Sequence, residues 1–320
     1  MTGGAFVVLN PASAGGRTLR RWPATMRALR AAGVSFEVHR TAGPGDATQA
    51  VRTALSDGCR TIVVVGGDGT LNEVVNGFFD AGGAPIGGDA VLALLPSGTG
   101  GDFRRAVGIP SDIAAAARLI AVASVRHIDA GRIEFAGGVQ RFFLNIADCG
   151  MGGEVVARVN RSRYKAGGAR GSAMFLGTAL TTLLSFASRN ARVEIDGTLV
   201  ERNVRSVVIA NGRYFGGGMH VAPNAVLDDG QFDVVIIGGT GRRRALTGIA
   251  SLYRGRHLNR PEVEVFRART VRVSCDGDPM LFDTDGEQVG TTPATLTCLP
   301  DAITICVPES SGGRSPAISC

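Results

Sequence analysis

The chain has 320 residues, of which 44% are hydrophobic and 46 are glycine, so it is long enough for two domains and rich in tight turns. Lysine and arginine outnumber the acids by 34 to 28, and this net charge of +6 favours an anionic partner such as a nucleotide or a membrane surface; the sparse aromatic residues argue against nucleic acid. The only lysine, Lys165, follows a tyrosine, so the chain lacks a P-loop, and it also lacks the GxSxG, HExxH and CxxC motifs of common hydrolases and zinc proteins.

The first 125 residues alternate between strand-like and helix-like segments. Hydrophobic periodicity predicts strands at 5–9, 34–38, 61–65 and 90–95, and helices at 19–32, 46–55, after residue 70 and at 113–122. Such alternation predicts a mostly parallel sheet, with ligands bound beyond the carboxyl ends of its strands. Small polar loops follow three of these strands, at 10–16, 66–70 and 96–103, so we expect them to meet at one edge of the sheet.

Strand-like segments dominate from residue 126 onwards. They lie at 126–135, 139–147, 192–195, 204–210, 232–237, 270–274, 294–299 and 302–307, and helices are predicted near 152–187 and 241–255. Asp-Gly turn signals between several of them favour hairpins. The pattern predicts a mostly antiparallel second domain over residues 126–308 and a disordered tail over 309–320.

The segment 61–77, TIVVVGGDGTLNEVVNG, predicts a buried strand that turns into a helix through three glycines and Asp68. Backbone N–H groups at such a helix start favour an anion, and the glycines allow positive φ and close approach of another group. A carboxylate beside a phosphate needs a cation between them, so Asp68 points to a magnesium-bound nucleotide. The alternative is an ordinary turn in which Asp68 only caps the helix.

Two further acidic segments follow the same chemistry. The loop 96–103, PSGTGGDF, offers three glycines, the Thr99 hydroxyl and the Asp102 carboxylate, although it is equally the pattern of a capped helix start. The segment 283–287, DTDGE, places Asp285 and Glu287 two residues apart. In an extended segment both carboxylates would face one cleft, whereas an Asp-Gly hairpin with solvated acids is the alternative.

The chain resembles the diacylglycerol kinase catalytic-domain family, lipid kinases that include bacterial diacylglycerol kinases, sphingosine kinases and ceramide kinases. The resemblance rests on motifs spread in order along nearly the whole chain: Asn10-Pro11, GGDGTLNEVVNG at 66–77, PSGTGGDF at 96–103, HIDAGR at 127–132, FLNIADCGMGG at 143–153, APNAVLDDGQFDVVII at 222–237 and DTDGE at 283–287. It implies an α/β fold in which an N-terminal, mostly parallel nucleotide-binding domain (1–125) meets an antiparallel β-sandwich domain at a catalytic cleft, the architecture of NAD kinases and diacylglycerol kinases.

The resemblance also implies roles for particular residues. By similarity, ATP is bound by Asn10, Pro11, Ala12, Ser13, Ala14, Thr41, Gly66, Gly67, Asp68, Gly69, Thr70, Leu71, Asn72 and Thr99. The catalytic Mg²⁺ is held through waters by Asp68, Asp102 and Asp129, and a separate structural Mg²⁺ by Val226, Asp229 and Gln231. Glu287 accepts the proton of the lipid hydroxyl, and Asp285 orients it or exchanges roles with it.

The implied activity is ATP- and Mg²⁺-dependent phosphorylation of a lipid hydroxyl, such as that of diacylglycerol, by a cytoplasmic enzyme associated with the membrane surface. An NAD kinase-like enzyme and a non-catalytic nucleotide or lipid sensor of the same fold are the alternatives, and a homodimer is possible. The chain departs from the family at Gly101, where many members have asparagine. The basic run 158–170 is either a contact for anionic lipid headgroups or a solvated helix end.

Overall fold

The computed structural model of the protein describes residues 4–97, 101–161, 177–178, 181–182, 185–239, 241, 248 and 250–309. The strands of the first part are β1 (Ala5–Leu9), β2 (Phe36–Arg40), β3 (Thr61–Gly66) and β4 (Val91–Pro96), and its helices are α1 (Arg17–Ala31), α2 (Asp46–Ser56), α3 (Asp68–Asn76), α4 (Asp102–Ala106) and α5 (Ile113–Val122). The later strands are β5 (Val125–Phe135), β6 (Gln140–Phe143), β7 (Ile146–Gly150), β8 (Arg189–Ile195), β9 (Thr198–Ala210), β10 (Phe232–Gly238), β11 (Val263–Ala268), β12 (Thr270–Cys275), β13 (Leu281–Thr284), β14 (Glu287–Thr291) and β15 (Ala294–Cys306), with helix α6 at Met151–Arg161.

The first four strands form the predicted parallel sheet. Strand β1 pairs in parallel with β2 and β3, and β3 pairs in parallel with β4. All six residues of β3 are buried, as expected of a parallel strand covered on both faces, and this explains its continuous apolar sequence. The carboxyl ends of β1, β3 and β4 therefore bring the three polar loops to one edge, as the sequence predicts.

The second part is antiparallel, again as predicted. Strand β9 pairs in antiparallel fashion with β7, β8 and β10, and β13 pairs with β7 and β14. Two Asp-Gly signals form tight hairpin turns, because Asp196, Gly197, Asp285 and Gly286 all have positive φ.

A single long strand joins the two parts into one sheet. The segments 294–299 and 302–307, predicted as separate strands, form β15 with a shift of register between Leu299 and Ile303. Its last residues pair in parallel with β4, and Ile303 and Ile305 lie in the hydrophobic core of the first part. The sheet order is consequently β2-β1-β3-β4-β15-β12-β8-β9-β7-β13-β14.

Some sequence predictions need correction or fall outside the described residues. The predicted strand 139–147 is broken between β6 and β7, and the strands β11, β13 and β14 were missed. Helix α4 begins at Asp102, as in the helix start that was the alternative for the loop 96–103. Of the two predicted helices, 152–187 is described as helical over α6 and at 177–178, 181–182 and 185, and 241–255 is described as helical at 248 and 250–253; large parts of both lie outside the described residues. The predicted tail, apart from its first residue Glu309, and most of the basic run 158–170 also lie outside them. None of the helices in the described ranges has the length and hydrophobicity needed to cross a membrane.

Candidate active site

The glycines of the loop after β3 leave room for two other side chains. Gly66, Gly67 and Gly69 are absent from the positive-φ glycines of the described chain, so this loop does not use the positive φ that glycine allows. A Cβ on Gly66 would lie 2.5 Å from the Cβ of Thr70, and a Cβ on Gly69 would lie 2.6 Å from Oε1 of Glu287. Close approach is therefore the reason for glycine at both positions. The Glu287 carboxylate of the second part lies directly against the start of α3.

The segment that carries Asp285 and Glu287 is a tight turn, contrary to the expectation of an extended segment. Asp285 and Gly286 have φ values of 51° and 92° and form the turn between β13 and β14. The carboxylate of Asp285 turns back and accepts N–H bonds from Leu144 at 3.0 Å, Asn145 at 3.1 Å and Ile146 at 3.0 Å. These bonds explain why residues 139–147 form two strands.

Helix α3 is bonded to the same turn. Asn72 donates its Nδ2–H to the carbonyl of Phe142 at 3.0 Å and to Oδ2 of Asp285 at 3.4 Å. Asn76, one helical turn later, both donates to the Phe142 carbonyl and accepts the Phe142 N–H. Asp285 thus receives four N–H donors and acts as an anchor for the hairpin. Burial raises the pKa of the Asp285 carboxyl, and these donors oppose that shift.

The residues predicted to bind ATP divide into two groups. Leu71 is 3% exposed and packs in the core, and the amide of Asn72 is committed to Phe142 and Asp285, so their side chains belong to the domain junction. Asn10 and Thr70 lie at the loop edge, where Asn10 Nδ2 donates to Thr70 Oγ1 at 2.9 Å. The predicted contact Thr99 lies outside the described residues.

The loop after β1 completes this edge. Asn10 Oδ1 accepts the Ala12 N–H at 3.0 Å, and the following turn contains Ser13 and Ala14, the latter with φ of 54°. Pro11 and Thr41 are half-buried, and Thr41 donates its N–H to the Leu9 carbonyl at 2.9 Å. The described members of the predicted nucleotide set other than Leu71 and Asn72 therefore share the carboxyl edge of the parallel sheet.

Asp68 carries the strongest electrostatic signal of this edge. Burial, and then the neighbouring carboxylates of Asp102 and Asp285, raise its pKa to about 6, against a hydrogen bond from the Gly101 N–H at 3.0 Å. A buried carboxylate with acidic neighbours is a group that a divalent cation would stabilise, so Asp68 fits Mg²⁺ directly or through water. Gly101 has φ of 69°, a conformation that glycine and asparagine tolerate, so the departure from the family preserves the backbone.

Asp102 and Asp129 make other contacts. Asp102 is paired with Arg105 at 2.6 Å and accepts the Gly217 N–H at 2.8 Å, so both oxygens are already engaged. Asp129 accepts N–H bonds from Gly230 at 2.7 Å and Asp301 at 3.0 Å. Burial raises the pKa of Asp129, and the nearby carboxylates of Asp301 and Asp229 raise it further. The carboxylates that raise the pKa of Asp68 are different ones, those of Asp102 and Asp285.

The turn predicted to bind a structural Mg²⁺ does not fit that ion. Asp229 forms an ion pair with Arg267 through one oxygen and accepts the Gln231 N–H at 3.1 Å through the other. Val226 is 37% exposed at the same turn. The arginine supplies the positive charge that this turn needs, and the predicted set of Val226, Asp229 and Gln231 is corrected accordingly. Over the described ranges, no three His, Cys, Asp or Glu side chains form a group able to hold a metal ion.

Sequence reasoning missed Asn76, Leu144 and Gly217 as contributors to the site. Asn76 carried a signal, since it follows Asn72 by four residues and the two amides therefore share the buried face of α3. Leu144 and Gly217 act through their backbone N–H groups, which the pattern of side chains in the sequence does not indicate.

Comparisons with known proteins show the family to which both parts of the chain belong. Residues 4–133 match the family described as diacylglycerol kinase catalytic domain, and residues 145–307 match the YegS C-terminal NAD kinase beta sandwich-like domain. A protein of Pseudomonas fluorescens named "Probable lipid kinase YegS-like" is 33% identical over 90% of this chain and 91% of its own. A Bacillus subtilis protein named diacylglycerol kinase is 29% identical over 95% of this chain and 96% of its own.

A solved structure shows the same architecture. A candidate diacylglycerol kinase from Bacillus anthracis superposes with a TM-score of 0.74 at 26% identity, covering 96% of this chain and 98% of its own. The two family matches lie on the parallel and antiparallel parts in the expected order. The chain belongs to the diacylglycerol kinase catalytic-domain family of lipid kinases.

Proposed function

We propose that this protein transfers the γ-phosphate of ATP to a hydroxyl of a lipid such as diacylglycerol, in a Mg²⁺-dependent reaction. The observation that carries the proposal is the contact of Glu287 with Gly69: a carboxylate of one part lies against the glycine-rich helix start of the other. A phosphate-binding helix terminus and a proton acceptor at one place are what phosphoryl transfer to an alcohol requires.

Each residue of the site has a distinct part in this reaction. The N–H groups at the start of α3 and the loop around Asn10 bind and orient the phosphates. Asp68 would hold Mg²⁺, which when bound neutralises phosphate charge. Glu287 accepts the proton of the attacking lipid hydroxyl, and Asp285 fixes the hairpin that carries Glu287.

The lipid site and the location of the enzyme belong to the same proposal. A net charge of +6 favours approach to anionic headgroups, and we infer that the protein acts in the cytoplasm as a peripheral membrane enzyme that reaches its lipid at the surface. A homodimer is compatible with this arrangement.

The test is transfer of labelled γ-phosphate from ATP onto vesicles that contain, one at a time, diacylglycerol, monoacylglycerol, phosphatidylglycerol, a long-chain base or a polyprenol. We expect Mg²⁺-dependent labelling of a lipid, and loss of labelling in Glu287→Gln with ATP binding retained. Glu194→Gln, on an exposed position of β8, is the matched control. Transfer to NAD, or ATP binding without transfer to any acceptor, would replace the proposal by an NAD kinase or a sensor.

A further inference from the structure

Two buried aspartates face each other beneath the hairpin that carries Glu287. Asp148 on β7 and Asp283 on β13 are directly opposite in the antiparallel pair, so their side chains point to the same face with Cβ atoms about 5 Å apart. Asp148 is 1% exposed and Asp283 is 6% exposed. Neither residue belongs to the predicted site, and like charges at such positions destabilise a sheet.

The surroundings of Asp148 do not compensate two negative charges. Neither of its carboxylate oxygens has a partner in hydrogen-bonding geometry, although the Ser206 hydroxyl and the N–H groups of Gly152 and Cys149 lie close enough to lower its pKa. The carboxylate also occupies the space that a side chain on Gly152 would take, at the start of α6. A buried acceptor without a donor costs free energy, so a proton on the facing carboxyl is the natural donor.

Asp283 is bonded to the turn itself. Its Oδ1 accepts the N–H of Gly286 at 2.8 Å, and Gly286 lies between the anchor Asp285 and the base Glu287. Asp283 therefore fixes the conformation of the residue that directly precedes Glu287. Its side chain lies on the same face of the sheet as that of Asp148.

The charges around the pair also favour a bound proton. Burial raises the pKa of Asp148 to about 6, while burial and then Asp148 raise the pKa of Asp283 well above its usual value. Of the other groups that act on Asp283, the Gly286 N–H favours its ionisation, whereas the carboxylates of Asp285 on the turn and Glu287 on β14 oppose it. On α6, Glu154 is paired with Arg158 at 2.8 Å.

We propose that Asp148 and Asp283 share one proton at neutral pH, and that Asp283, in this protonated pair, is the positioning residue for Glu287. The hydroxyl of one carboxyl donates to the oxygen of the other, while Asp283 keeps its contact with the Gly286 N–H. Two such coupled acids titrate as a pair, as two carboxyl groups that share a site do. The kinetic part of this inference rests on the proposed function, and the structural part does not.

The first arm of the experiment measures the melting temperature of the wild type, Asp283→Asn and Asp148→Asn between pH 5 and pH 9. A group whose pKa is raised in the folded state stabilises the protein fully at a pH below its pKa in the unfolded state. This stabilisation is lost as the pH rises towards its pKa in the folded state. An amide mimics the protonated acid and does not titrate, so we expect either variant to gain on the wild type as the pH rises, by about 2 °C or more at pH 9. Asp89→Asn, an exposed carboxylate, is the control and should follow the wild type.

The second arm measures lipid phosphorylation. Asp283→Asn retains an acceptor for Gly286 and a donor for Asp148, so we expect kcat within about threefold of the wild type and a weaker fall of kcat at alkaline pH. Asp283→Leu removes the acceptor and should lower kcat by about tenfold or more at an unchanged KM for ATP. A purely structural Asp283 would leave the pH profile of Asp283→Asn parallel to that of the wild type.

Other outcomes overturn the proposal. If Asp283→Asn or Asp148→Asn becomes less stable relative to the wild type as the pH rises, the pair is ionised and does not share a proton. If Mg²⁺ raises the melting temperature of the wild type and not that of Asp148→Asn, the pair binds a cation instead. If the stability arm succeeds while no variant and no wild type phosphorylates a lipid, the proton-sharing pair stands and the proposed function fails.

Discussion

Two of the contacts between the halves of the protein differ in construction. The hairpin junction is formed by Gly69, Asn72, Asn76, Phe142, Asp285 and Glu287. The glycine-loop junction is formed by Asp102 and Arg105 of α4 with Gly217 and Gly218. At the hairpin junction, the side chains of Asn72, Asn76 and Asp285 form at least six hydrogen bonds with one another and with the backbone. At the glycine-loop junction, the Asp102 carboxylate accepts one N–H, from a run of glycines with positive φ.

This difference indicates that the two junctions have different roles, one rigid and one adaptable. A fully satisfied buried network holds one arrangement, so the wall that carries Glu287 is rigid and places the carboxylate against the α3 start. The opposite wall depends on a partly exposed ion pair and a single backbone contact, which cost little to rearrange. A kinase that admits ATP and a lipid needs a fixed base and an adaptable entrance. The variants below separate the two junctions, from the largest expected effect on activity to the smallest.

Replacing Gly69 with alanine should have the largest effect. Its Cβ would lie 2.6 Å from Glu287 Oε1, so the base must move, and a displacement of about 1 Å costs on the order of a hundredfold in kcat. Steady-state kinetics with the lipid substrate measure the loss. Gly43→Ala, where a Cβ would meet nothing within 4 Å, is the matched control. Normal kcat in Gly69→Ala would mean that the close approach has no catalytic role.

Asp285→Asn should weaken both stability and activity. The amide keeps the shape of the carboxylate but removes its charge and turns an NH₂ group towards backbone donors, at a cost of about 1–3 kcal/mol in the free energy of unfolding. Urea denaturation measures this loss, and we expect kcat to fall by about tenfold because the hairpin that holds Glu287 loosens. An unchanged unfolding midpoint would show that Asp285 does not anchor the hairpin.

Asp102→Asn should have the smallest effect. The variant keeps an acceptor for Gly217 and loses only a partly exposed ion pair with Arg105, worth at most about 1 kcal/mol. We expect kcat to fall by no more than about threefold. A fall of kcat as large as that of Gly69→Ala would contradict the comparison of the two junctions. It would support the predicted role of Asp102 as a ligand of the catalytic Mg²⁺.

Local sequence predicted the elements of the first part well. The β-branched run of β3 and the helical spacing after Asp68 locate the strand, the turn and the helix, because these depend on burial and periodicity over a few residues. The family motifs also brought Asp68, Asp285 and Glu287 into one hypothesis. What the sequence did not reveal was that the Asp285 carboxylate binds the backbone N–H groups of residues 144–146.

The missed features depend on contacts between distant parts of the chain. Nothing near Gly69 indicates that its missing side chain makes room for Glu287, which lies more than two hundred residues later. The break between β6 and β7 follows from the demand of Asp285 for backbone donors, which overrides strand propensity at Leu144 and Asn145. Arg267 likewise occupies the place expected for a metal at Asp229 because β10 and β11 pair Asp233 with Arg267 and hold the guanidinium near that turn.

The central claim is that Glu287, held against Gly69, is the base for phosphoryl transfer. A double-mutant cycle of kcat for lipid phosphorylation with Gly69→Ala, Glu287→Gln and the combined variant tests it most directly. If alanine acts by displacing Glu287, the combined variant will be no slower than Glu287→Gln alone, because the base is already lost. Losses that multiply in the combined variant would show that Gly69 and Glu287 act independently and would contradict the account.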